Sequence, residues 1–313
     1  IRRPPRSTRK ESSAASDVYK RQNSIIESFA NVEYSWVIFG VLLGALSHLS
    51  RAYRWKYLLE PLGYKISFLN SVMAIFSAYL INYTFPRAGD IARGTIVYKY
   101  EDIPLEKGIG TIVAERAVDV LCISILIVLG LFINYELIIQ KLYEASSFIN
   151  LEFLMLSFII LGGILFFFLR KNSKSFPIIS KVQTFFKGLY EGFMVIFKLE
   201  NKWLFIMHSI FIWLMYILMF YVTSKAVTEL PDLSFSIILI SFILASLTIM
   251  FTPGGIGAYP LAVQISFSWF GISSVSSLSF GWIMWTSQTL MIIIFGGLSL
   301  TILPFINNKK KIK

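Results

Sequence analysis

Cysteine and histidine are almost missing from this chain: there is one Cys and there are two His among 313 residues. Cys122 lies inside an apolar stretch and can form no internal disulfide. His48 and His208 are too scattered to make a metal-ligand set, so neither redox chemistry nor a metal or other cofactor is expected. Charge is scarce as well. Charged residues make up 15% of the chain against 56% hydrophobic residues, and the mean hydropathy is +0.67, outside the range of ordinary water-soluble domains. No Gly/Lys phosphate loop, no His-Glu-x-x-His helix and no strand-turn-helix serine motif is present. Any function must therefore come from polar residues set among apolar spans.

Those spans are plain. Trp203 to Ala226, Leu278 to Leu303 and Leu151 to Leu169 are nearly free of charge and long enough, at about 1.5 Å per residue, to cross a hydrocarbon core of about 30 Å. A membrane-spanning barrel would need alternating apolar and polar residues, which these stretches lack. The sequence predicts an all-α polytopic membrane protein with apolar segments near 35–50, 68–85, 117–135, 151–169, 203–225, 235–251, 259–270 and 278–303.

Charge in the connections orients the segments. The 170–202 connection carries seven Lys/Arg against two acids, and the 309–313 terminus is basic, so both are expected on the cytoplasmic side of a cytoplasmic membrane. The connections at 136–152 and 225–234 are expected outside. Both 51–67 and 86–116 then read as inside, so an even number of crossings must separate them. Segment 68–85 is accordingly expected to be a re-entrant hairpin or half-helix that turns near Pro86. A second break, Thr252-Pro253-Gly254-Gly255-Ile256-Gly257, interrupts the other half, and too few apolar residues come after it for an upright span. Residues 176–199 mix a phenylalanine stripe with lysines and read as an interfacial amphipathic helix.

The first 22 residues begin without Met and have neither helical periodicity nor a signal-peptide core. They resemble a translated adapter read-through and are expected to be a non-native, disordered leader. They supply seven Lys/Arg against two acids, +5 of the formal +11, and the balance is ordinary for a membrane protein. Nucleic-acid binding is not implied. The domain reading is thus leader 1–22, membrane domain 23–308 and a basic cytoplasmic terminus 309–313.

Charged side chains at membrane depth cost about 2.5–3.5 kcal/mol on insertion scales, so those beside spans ask for a reason. Arg51 and Arg54 come directly after the first span at helix-face spacing. As topology anchors they would snorkel to the interface, and as ligands they would face inward. Asn82, Pro86, Arg87, Gly89, Asp90 and Arg93 surround the first break. Here Pro86 stops the helix, Gly89 permits a left-handed turn, and Arg87 and Arg93 are donors suited to phosphate, the plain alternative being an Asp90–Arg93 surface pair. Glu115, Arg116 and Asp119 open the next span as a partly compensated cluster, with pairing to Arg87 or Arg93 as the structural alternative. At the second break, Pro253, Gly254, Gly255 and Gly257 let backbone approach a ligand, and a helix starting there would aim unpaired N–H groups at an anion. Paired breaks of this kind are the pattern of binding sites between transporter repeats.

Arg51-x-x-Arg54-Trp55, Asn82-x-x-x-Pro86-Arg87-x-Gly89-Asp90-x-x-Arg93, Glu115-Arg116-x-x-Asp119 and Pro253-Gly254-Gly255-Ile256-Gly257, in this order, resemble the lysylphosphatidylglycerol synthase transmembrane, or flippase-like, family over roughly residues 34–303. That family is related to the N-terminal membrane domain of multiple peptide resistance factor. The resemblance implies a flippase domain moving a phosphate-bearing lipid, whether a membrane phospholipid or a polyprenyl-linked lipid, with these residues lining its path. Two departures stand out. Many members carry an acid just after the second break, where this chain has Tyr259-Pro260, and the reading expects no soluble acyltransferase-like domain to accompany the membrane domain. The family's first span also reads as replaced by the leader. The chain thus reads as a transporter with no catalytic residue assigned. A membrane-embedded lipid- or polyprenyl-phosphate-dependent transferase with Asp90 or Glu115 as base, and a non-transporting envelope-biosynthesis scaffold, are the rival readings. Homo-oligomers and envelope-biosynthesis proteins are the partners left open.

Overall fold

The computed structural model describes residues 29–85, 88–146 and 199–308. Among the described residues there are nine α-helices and no strand: α1 (Tyr34–Leu59), α2 (Phe68–Thr84), α3 (Ala88–Glu101), α4 (Leu105–Ile133), α5 (Tyr135–Ser146), α6 (Lys202–Ser224), α7 (Phe235–Phe251), α8 (Ala258–Ser268) and α9 (Ser274–Asn308). Four of them, α1 with its short 3₁₀ extension, α4, α6 and α9, are long and apolar enough to cross a membrane. The chain is a multi-pass membrane protein. The leader, the 151–169 segment, the amphipathic 176–199 stretch and the basic terminus all lie outside the described residues.

Both breaks stop their helices by one local rule. The residue before a proline is pushed out of the α region, and Phe85 (φ −125°, ψ 103°) and Thr252 (φ −125°, ψ 154°) are both extended, ending α2 and α7. Past this point the two paths diverge. After Thr252 the chain turns through Gly254, Gly255 and Gly257, all at positive φ, before α8 begins. After Phe85 it enters α3, which runs back along α2. Segment 68–85 is thus one arm of a helical hairpin, as the loop charges require.

The long helix α9 records how the two hairpins meet. At its end, Asn307 exchanges amide hydrogen bonds of 2.9 and 3.0 Å with Asn70, at the base of the α2–α3 hairpin. Tyr83, at the tip of that hairpin, bonds Thr289 across 3.1 Å. One turn earlier, Trp285 Nε1 donates to the Gly254 carbonyl at 2.7 Å, marking the tip of the α7–α8 hairpin. Gly281 lies against Pro260 of α8. The hairpins therefore enter from opposite ends of the molecule. Their tips sit four residues, or about 6 Å, apart on α9, close to its middle.

Two cores fasten this arrangement. Phe220, Phe242, Phe267 and Phe280 pack α6–α9 together around the second hairpin, with Phe220 and Phe280 centroids 4.9 Å apart. Trp55, Leu59, Val97, Ile112 and Phe205 form the other core, where α1, α3, α4 and α6 converge. Charge is buried in this second core.

Candidate functional site

Two features of the sequence set the site, and the first is helix length. α1 runs unbroken to Leu59, so Arg51 and Arg54 lie inside it and not at its end; they are buried, and the snorkelling-anchor reading is overturned. α4 likewise starts at Leu105, ten residues before Glu115. The acids therefore lie well inside a span and not at its edge, and the expected 86–116 connection is in fact α3 plus the opening turns of α4. The second feature is the tight turn at Asp102, whose positive φ (53°) is tolerated by a short polar side chain and folds α3 back against α4. That antiparallel register brings Arg93 to Glu115 and Asp90 to Arg116.

The result is an inner ionic knot. Glu115 accepts from Arg51 at 2.9 Å and from both terminal nitrogens of Arg93 at 2.9 and 3.2 Å, with Arg54 at 3.4 Å. Asp119 accepts from Arg51 and, at 3.1 Å, from Arg54. Arg54 also donates to Ser209 at 2.7 Å, and Arg93 lies 3.8 Å over the Trp55 ring. Side-chain exposure is 0–4% for the three arginines and 1% for Glu115. Charges desolvated this far persist only because each is paired, and removing one partner costs about 3–5 kcal/mol. These five side chains are occupied by one another.

Arg116 and Asp90 form a separate, outer pair. The guanidinium grips the carboxylate at 2.9 and 3.3 Å, while Asp119 is 3.8 Å away. The expected Asp90–Arg93 surface pair thus gives way to cross-helix partners, while Arg116 also keeps the i,i+3 ion pair with Asp119 that its spacing suggests. Unlike the knot, the outer pair keeps 38% and 37% of its side-chain surface exposed. It opens onto a narrow crevice lined by Tyr79, Asn82, Asp90, Arg93 and Arg116, with Ile75 and Ala78. Positions 75, 78, 79 and 82 form one face of α2, while Phe76 and Tyr83 face α9.

Other sequence-predicted residues take structural roles. Asn82 Oδ1 accepts the Gly89 N–H at 2.8 Å, capping α3, and its NH₂ makes no hydrogen bond among the described residues. Gly89 is not in the left-handed region the sequence suggested. It is helical, and glycine is needed because a side chain there would run into the Ala78 carbonyl and the Asn82 amide. Pro86 and Arg87 lie outside the described residues.

The second break lines a different place. Gly254 meets the Tyr83 ring, where any β-carbon would come within 2.5 Å, but Pro253, Gly254, Gly255 and Gly257 do not line the crevice. The expected unpaired donors at the start of α8 are also spent. Ala258 N–H bonds Ile256 at 2.8 Å, Tyr259 N–H bonds Gly255 at 2.8 Å, position 260 is proline, and Leu261 N–H bonds Gly257 at 3.2 Å. Tyr259 is buried and Pro260 packs on Gly281, so the Tyr-Pro departure fills a helix contact.

Sequence reasoning missed Tyr79. Its spacing, three residues before Asn82 and four before Tyr83, was the available signal.

Comparison with known proteins agrees with this picture. The chain matches the family described as the lysylphosphatidylglycerol synthase TM region over residues 20–297. It is also 24% identical over 283 residues to the UPF0104 membrane protein MJ1595 of Methanocaldococcus jannaschii, a match covering 80% of this chain and 79% of that protein. The chain belongs to the lysylphosphatidylglycerol synthase transmembrane family.

Proposed function

We propose that this member of the lysylphosphatidylglycerol synthase transmembrane family is a lipid translocase of the cytoplasmic membrane, with its C-terminus on the cytoplasmic side, moving a phosphate-bearing lipid between leaflets. The observation that carries the reading is the outer Arg116–Asp90 pair. It is a partly exposed guanidinium, hydrogen-bonded to Asp90 with Asp119 3.8 Å away, and set beside a crevice whose inner wall is already charge-paired. A phosphate oxygen can replace Asp90 on Arg116 without disturbing the knot behind it. The crevice is too narrow to engulf a whole molecule, so a headgroup would meet it at its open face, with the acyl chains left in the bilayer.

The test is leaflet transfer of headgroup-labelled phospholipid in reconstituted liposomes. Arg116→Ala removes the charged contact, whose loss of about 1.5–3 kcal/mol corresponds to roughly a 10- to 100-fold slower transfer. Asp90→Asn removes the competitor and keeps or raises headgroup affinity. Transfer by Arg116→Ala at the wild-type rate refutes the proposal.

A further inference from the structure

The crevice is rich in donors and poor in free acceptors. Arg116 spends Nε and one terminal nitrogen on Asp90, while its other terminal nitrogen has only the 3.8 Å approach of Asp119. Asn82 has committed its oxygen to Gly89, so its NH₂ is the free end. Tyr79 lines the same crevice, and its hydroxyl makes no hydrogen bond among the described residues. The ring is held from behind by buried His48, with centroids 4.8 Å apart. Three donor groups from two helices thus border one space, and the one acceptor beside them, Asp90, is already engaged.

Resting on the reading of this crevice as the headgroup site, we propose that the Tyr79 hydroxyl is a phosphate-binding group that acts with Arg116 and the Asn82 amide to fix the depth at which the headgroup phosphate stops. An oxyanion presents several acceptor lone pairs and can engage all three donors at once, which a neutral hydroxyl or a cationic amine cannot. Arg116 then supplies charge, and Tyr79 and Asn82 supply direction.

The experiment uses the full chain in detergent, titrated with dihexanoyl phosphatidylglycerol or with phosphate-free dihexanoylglycerol. Tyr79→Phe keeps the ring against His48 and removes only the hydroxyl. It is expected to weaken phosphatidylglycerol binding about tenfold while leaving the phosphate-free lipid unchanged. If Tyr79→Phe also lowers the melting temperature, the ratio of the two affinities decides: a packing defect lowers both, whereas a lost phosphate donor lowers the first alone. Unchanged phosphatidylglycerol affinity in Tyr79→Phe, together with a loss in Arg116→Ala, overturns the role of Tyr79 and leaves the site standing. A wild-type protein that does not prefer phosphatidylglycerol to dihexanoylglycerol overturns the site reading itself.

Discussion

The two hairpins stop at the same kind of residue and are held in opposite ways. Each first arm ends on an extended residue before proline, and the two tips touch through Tyr83 and Gly254. Behind the α2–α3 tip lies a buried ionic knot, with Arg93 as its link to the hairpin. Behind the α7–α8 tip lies a cluster of phenylalanines. Aromatic packing tolerates small displacements, since it is non-directional, whereas charge-assisted hydrogen bonds fix angle and distance. The first hairpin is thus fixed in register and carries the accessible charge. The second is shaped by glycine and carries no charge of its own. One half is thus fastened by directional ion pairs and the other by aromatic packing.

The largest test breaks the ionic fastening. Glu115→Gln leaves Arg93 without its carboxylate and strips Arg51 and Arg54 of one of two partners. It is expected to destabilise the protein by about 3–5 kcal/mol. The fall in apparent melting temperature in detergent measures this, and the deep burial of the group means that added salt does not restore it. Adding Arg93→Gln removes one of the orphaned charges and recovers part of the loss. Phe280→Ala in the other half costs a comparable roughly 3–5 kcal/mol through lost packing, with no such charge-pair rescue. If the Arg93 change does not rescue Glu115→Gln, the two halves are fastened by packing alike and the contrast fails.

The next test places the same substitution at each tip. Gly254→Ala forces a side chain onto a backbone at φ +61° and against the Tyr83 ring, at a conformational cost of about 1–2 kcal/mol. Gly89→Ala meets no such torsional strain but collides with the Ala78 carbonyl and the Asn82 amide, pushing α3 away from α2. The clash displaces the Asn82 amide, a headgroup donor, so Gly89→Ala is expected to impair lipid binding as well as stability, whereas Gly254→Ala lowers stability and slows transfer with headgroup affinity intact. Equal losses of affinity would mean that both tips belong to the binding site.

The legibility of the fold and site in the sequence depends on which interactions are local. Proline and glycine act within a residue or two, so both breaks were legible, and counting positive charge in the connections required a hairpin at 68–85. The start of α4 was not legible. Glu106, Lys107, Glu115 and Arg116 make its first turns look like a loop on hydropathy, because that scale does not register that Glu115 is buried against arginines from other helices. Which arginine meets which acid was also hidden. That choice is set by the antiparallel register of α3 and α4 and by the approach of α1, all separations of tens of residues. The engaged N–H groups of Ala258 and Tyr259 depend on the positive φ of Gly254, Gly255 and Gly257, which glycine permits without specifying.

The smallest effects ask whether the tips move as one. Trp285→Phe removes the hydrogen bond to the Gly254 carbonyl, and Thr289→Val removes the one to Tyr83, each worth about 0.5–1.5 kcal/mol. The two residues are one turn apart on α9 but serve different hairpins. Independent sites add to within about 0.3–0.5 kcal/mol, so the double variant forms a cycle whose closure error reads the coupling between tips. The Tyr83 ring lies directly on Gly254, so loosening either anchor frees the partner it presses on. The expected result is a double variant less destabilised than the sum of the singles, because the second substitution removes a restraint the first has already relaxed. Strict additivity in melting and in lipid transfer would show that the tips touch without communicating.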